Sequence, residues 1–119
     1  METIKKSNIG RLAMISMPMA GKSETQIKND MDKAKAYLES LGYNVVNTLF
    51  TDGELERYKG VVVPPLYFLA KSLESMSKVT TVYFCNGWED YRGCIMEHGA
   101  AKAYGLNIIY ESDNASALR

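Results

Sequence analysis

The chain has 119 residues, 46% of them apolar, enough for one domain to bury a core without disulfide or metal staples. Fourteen basic side chains balance fourteen acidic ones, so no overall field draws the protein to a nucleic-acid polymer or to an anionic membrane surface. The two cysteines, Cys85 and Cys94, lack CxxC or Cys/His ligand spacing, which argues against zinc and against a disulfide framework and fits a reduced cytoplasm.

The residues from Met1 to Gly10 are polar and lack the apolar core of a signal peptide. Leu12 to Ile15 is a short apolar run ending at Ser16, ahead of Pro18 and Gly21, and predicts a buried strand entering a loop. Ile27, Met31, Ala34, Leu38 and Leu41 then recur at helical spacing; Ser23 with Gln26 makes a capping box and Gly42 a left-handed stop. Tyr43 to Thr48, rich in β-branched residues, predicts the second strand, and Phe50 to Lys59, with the turn pair Asp52-Gly53, predicts a loop with at most one helical turn. The greasiest stretch, Val61 to Ala70, is broken by Pro64 and Pro65 and is about half the length a membrane span needs.

Pro64 and Pro65 instead suit a helix start, with Leu66, Leu69, Leu73 and Met76 along one face. Thr80 to Cys85 predicts a third strand, stopped by Gly87. From about Asp90 a third helix runs through Cys94, Glu97, Ala101 and Tyr104 to Gly105, and Asn107 to Tyr110 is the fourth strand. The tail from Glu111 is polar and aperiodic and is expected to fray or to dock on a neighbouring subunit. The alternation predicts a single α/β domain over residues 1–119. It is a three-layer, Rossmann-like (flavodoxin-like) parallel sheet of four to five strands in order 2-1-3-4, flanked by helices, with the helix after Ser23 on one face and the helix carrying Glu97 on the other.

In such sheets ligands bind beyond the carboxyl ends of the strands, where two loops lie: Ser16 to Ser23 and Asn86 to Gly93. The first carries Ser16, Met17, Pro18, Met19, Gly21 and Lys22. Its small residues and the helix N-terminus behind it suit an anion, and it reads equally as an ordinary turn with a capping serine, since only the GKS end of a P-loop is present. In the second, Gly93 lies one turn before Glu97 and uncovers its carboxylate; a carboxylate early in a helix is favoured in its ionised form, which suits a nucleophile. Taken alone, these residues favour the plainer alternative, a solvated Glu97 paired with Lys102 or Arg92. Trp88 could stack on a base or simply pack, Arg92 and Lys22 could hold a phosphate, and His98, the only histidine, has no partner for a metal.

Together, Ser16 to Lys22, then Ser72-Leu73 with Met76, then Gly87-Trp88-Glu89, Arg92-Gly93-Cys94 and Glu97-His98 resemble a small family of phages and prophages of Gram-positive bacteria. That family is placed in the nucleoside 2-deoxyribosyltransferase-like superfamily, and the resemblance spans residues 11–111. It implies that Glu97, in a G-x-x-x-E element with Gly93, attacks the anomeric carbon of a nucleoside or its 5′-phosphate, and that the early loop lies along sugar and phosphate. Tyr91 stands where nucleotide hydrolases of the superfamily place a serine on the 5′ group. Ser72 stands where an aspartate assists the departing base, leaving Asp90 or Glu89 to supply the proton; Thr80 also replaces an aspartate.

The expected function is therefore N-glycosidic bond cleavage, by hydrolysis or transfer, in a nucleotide or related small molecule through Glu97, with no metal or organic cofactor. Departures at Ser72 and Tyr91 keep a rival reading open, a non-catalytic nucleotide-binding module that sequesters or senses a small molecule. The resemblance also implies a homodimer or higher homo-oligomer, with Ser112 or Asn114 completing a neighbour's site.

Overall fold

The computed structural model describes residues 11–46, 60 and 63–113. The predicted loop from Phe50 to Lys59, the end of the second strand at Thr48, and Asn114 lie outside them. The described elements are β1 (Leu12–Ser16), α1 (Glu24–Ser40), β2 (Asn44–Val45), α2 (Pro64–Met76), β3 (Thr81–Phe84), a single 3₁₀ turn (Trp88–Asp90), α3 (Arg92–Ala103) and β4 (Asn107–Tyr110). Every pairing is parallel and the strand order is β2-β1-β3-β4, the expected arrangement.

Alternation along the strands divides the core into two. Ala13 and Ile15 of β1 and Tyr83 of β3 meet Ala34 and Leu38 of α1 on one face. Met14, Val82 and Phe84 meet Met76 of α2 and Ala101 of α3 on the other. Helices thus cover both faces and the sheet is the middle of three layers, as a buried parallel sheet requires.

Helix ends follow their local chemistry. The Ser23 hydroxyl accepts the Gln26 N–H at 3.1 Å, capping α1. At its other end Gly42 (φ 92°) lets its own N–H reach the Glu39 carbonyl and the Tyr43 N–H reach that of Leu38, a Schellman closure. Gly105 closes α3 in the same way, onto Lys102 and Ala101. α2 begins at Pro64 with no side-chain cap.

Two expectations, on the third helix and on the tail, are corrected. The third helix does not begin near Asp90: the 3₁₀ turn comes first, Tyr91 is extended (φ −123°, ψ 120°), and α3 starts at Arg92. Leu66 and Leu73 on α2 are exposed, at 60% and 39%, and only Met76 of that stripe is buried. The first residues of the tail are anchored, since the Glu111 carboxylate accepts the Asn86 N–H at 2.8 Å and that of Asp113 accepts the Tyr110 N–H at 3.3 Å. Among the described residues no helix is long and apolar enough to cross a membrane.

Candidate active site

At the carboxyl end of β1 the chain leaves the sheet, and the following loop, α2 and the start of α3 enclose a cleft of about 700 Å³. This lies within the size range of small-molecule sites. Its floor is Glu97, in the second turn of α3 and only 8% exposed. The Ser16 hydroxyl, at the last position of β1, donates to Glu97 Oε1 at 2.5 Å, and Ser72 of α2 lines the cleft beside the same carboxyl. Glu97 is thus neither solvated nor paired with Lys102 or Arg92.

Burial raises the Glu97 pKa above the usual carboxylate range, opposed by the hydrogen bonds from Ser16 and then Ser72. This corrects the electrostatic argument from sequence, because loss of hydration and not the helix N-terminus sets the direction. Cys94, also on the cleft, has its thiol pushed up by burial, with the Ser16 hydrogen bond opposing and the Glu97 charge adding. It remains a thiol at neutral pH, and Glu97 is the stronger candidate nucleophile.

Gly93 lines the cleft one turn above the carboxyl, and a Cβ placed there would meet no atom within 4 Å. The open space belongs to whatever enters the cleft. Asp90 and Arg92 line it as well, and Tyr91 bridges its two sides through its hydroxyl, which donates to the Ala20 carbonyl at 3.4 Å. Because Tyr91 makes no side-chain cap, the first N–H groups of α3 are left for a ligand or solvent. Met17, Pro18 and Met19 complete the early-loop wall.

Other candidates lie elsewhere. Lys22 pairs with Asp30 at 3.3 Å and lines a separate hollow on the α1 side with Tyr83, Cys85 and Glu111. The Cys85 thiol there is pushed up to about 12, by burial first and then by Glu111. Trp88 stacks on His98, with ring centroids 4.1 Å apart, and packs beside Phe84 and Tyr110, while His98 Nε2 meets the Tyr110 hydroxyl at 2.6 Å. Burial lowers the His98 pKa, Lys102 adds to this, and Glu89 opposes it. Glu89 shares a third hollow with Trp88, Tyr110 and Ser112, so Asp90 and not Glu89 reaches the cleft. Gly21 and Gly87 are turn residues at φ 82° and 90°, and neither lines the cleft. Among the described residues no group of three His, Cys, Asp or Glu side chains could hold a metal ion.

Sequence reasoning missed the apolar wall of the cleft: Val63, Pro65, Leu66, Phe68, Leu69 and Met96. The signal was present in α2, where Leu66 to Ala70 is apolar on every side, more than one buried stripe needs.

A family model described as Domain of unknown function (DUF4406) matches residues 13–110. No curated protein and no solved structure matches the chain.

Proposed function

The chain belongs to the DUF4406 family, and from that premise we propose that it cleaves an N-glycosidic bond in a nucleotide or related small molecule, with Glu97 as nucleophile. One observation carries the reading: a buried carboxyl, held by the Ser16 hydroxyl, forms the floor of a largely apolar cleft that Gly93 leaves open. The likeness of Gly93 and Glu97 to the G-x-x-x-E element of nucleoside 2-deoxyribosyltransferase-like enzymes supports it.

Ionised Glu97 would attack the anomeric carbon, forming a glycosyl ester as the bond to the base nitrogen breaks. Asp90, the second carboxyl on the cleft, would protonate the departing base and then accept a proton from the water, or from the second base, that resolves the ester. Phe68, Leu69 and Met19 offer apolar surface to the base. Arg92 and the uncapped start of α3 suit a phosphate better than Lys22, which Asp30 already engages.

Ser72 favours a second reading. With a hydroxyl where the resembled enzymes carry a proton donor, the cleft would serve a module that binds and sequesters a nucleotide. Incubation with a panel of nucleosides and nucleotides, followed by chromatography for free base, separates the two: catalysis releases base, and sequestration gives stoichiometric binding without release.

The proposed setting is the cytoplasm, in keeping with balanced charge and two buried free cysteines. The proposed assembly is a homo-oligomer. Met19, Val63, Leu66 and Met96 stand exposed around the cleft, an apolar rim that a second copy would cover.

A further inference from the structure

We propose that Ser16 is a positioning residue and not a ligand contact: its hydroxyl holds Oε1 of Glu97 so that Oε2 is the oxygen presented to the cleft, with Ser72 as second donor. The chemical consequence rests on the reading of Glu97 as nucleophile, whereas the hydrogen-bonded arrangement does not.

Ser16 is 2% exposed, too enclosed to meet a ligand directly. Its backbone is fixed by the sheet, in register with Phe84 and with its carbonyl accepting the Cys85 N–H at 3.0 Å. The hydroxyl is therefore placed by a strand end and not by a mobile loop. At 2.5 Å its bond to Oε1 has the length of a hydroxyl donating to a carboxylate. A serine has one proton to donate; the 2.5 Å contact makes Oε1 its acceptor, with the Cys94 sulfur a second neighbour of the same hydroxyl. Ser72 of α2 faces the same cleft and favours the ionised carboxyl from the other side, so residues of three separate elements, β1, α2 and α3, meet at one group.

This grip sets the charge as well as the direction. Asp90, Tyr91, Arg92 and Cys94 share the cleft from α3 and the turn before it, β1 contributes Ser16, and α2 contributes Ser72, with Lys71 beside it paired to Glu74. Among the described residues no lysine or arginine forms an ion pair with Glu97. Hydroxyl donors thus stabilise its ionised form against burial.

Carbon-13 NMR of the Glu97 carboxyl through a pH titration of the ligand-free protein reads this without any reaction. Ser16→Ala should move the midpoint upward, raising the carboxyl's proton affinity about tenfold, the effect of losing one hydrogen bond to a charge. Ser16→Thr, which keeps the hydroxyl, should restore it. Ser72→Ala, on a helix that alanine favours, should also move it upward and serves if the Ser16 variant does not fold. With a nucleoside 5′-monophosphate, Ser16→Ala should lower kcat about tenfold with KM nearly unchanged. Midpoints equal to wild type in both alanine variants, or a raised KM at unchanged kcat, would overturn the proposal. A shifted midpoint in a protein that releases no base would uphold the positioning role and overturn the glycosidase reading instead.

Discussion

At Glu97 burial pulls the proton on while two hydroxyls pull it off, and burial prevails. In the unfolded chain this carboxyl has the ordinary glutamate pKa, and in the folded chain a raised one. Below the ordinary value both states are protonated, so folding carries no penalty. As pH rises through the folded value, ionisation in a buried site costs stability. Glu97→Gln cannot ionise, so its Tm relative to wild type should climb as pH rises from the ordinary glutamate range through the raised folded value. Base release should show the opposite loss: Glu97→Gln should remove at least about a thousandfold of kcat at neutral pH. The wild-type rate should also fall with acid at a pH above the usual carboxylate range, which a pH–rate profile measures.

Gly93 gives a second separation of stability from function. In the first turn of a helix, with open space where a Cβ would go, Gly93→Ala should stabilise the fold by about 0.5–1 kcal/mol. The same methyl would enter the cleft, so ligand affinity by calorimetry should fall about tenfold or more. Gly93 and Glu97, one turn apart, stood out in the sequence through their likeness to a G-x-x-x-E element, since the spacing alone favoured a solvated carboxylate. The sequence could not reveal Ser16 as the partner of Glu97, since that contact joins residues 81 positions apart and exists only once β1 and α3 are packed.

Each helix end where a glycine or serine dominates was legible in the chain, because the signal and its effect lie within a few residues. Gly42 is the strictest case. Its φ of 92° and the Arg11 guanidinium beside it leave no comfortable place for a Cβ, so Gly42→Ala should cost about 1–2 kcal/mol in chemical denaturation. The break at Tyr91 was not legible, because nothing near it excludes a helix; the bond from its hydroxyl to Ala20, across 71 positions, accompanies it. α2 formed as its spacing predicts, and what covers its apolar face was not legible. Helical spacing identifies an apolar face, whereas what covers that face depends on the rest of the fold. Leu66, mostly exposed on the cleft wall, should tolerate Leu66→Ser within about 0.5 kcal/mol. Leu38, fully buried between α1 and the sheet, should lose about 2–5 kcal/mol on Leu38→Ala.

For the molecule as a whole, zero net charge leaves anion selectivity to local groups. The cleft offers Arg92 and the start of α3, while Lys22 lines a hollow on the α1 side of the sheet. Arg92→Ala should reduce the preference for a nucleotide over its nucleoside about tenfold, and Lys22→Ala should leave it unchanged, as calorimetry with both ligands would read. Light scattering should find a dimer or larger assembly at micromolar concentration, and Leu66→Ser should weaken it if the apolar rim is the contact. Strand order and layering were legible at this scale because βαβ alternation leaves few alternatives. The occupant of the cleft was not, since many chemistries share this architecture.

The account turns on a covalent step at Glu97. Mass spectrometry after incubation with a nucleoside whose sugar carries fluorine beside the anomeric carbon, which slows resolution of the ester, tests it most directly. One glycosyl adduct per chain, mapped to Glu97 and absent from Glu97→Gln, is the predicted result; base released with no adduct on Glu97, or nucleoside bound with no base released, would contradict it.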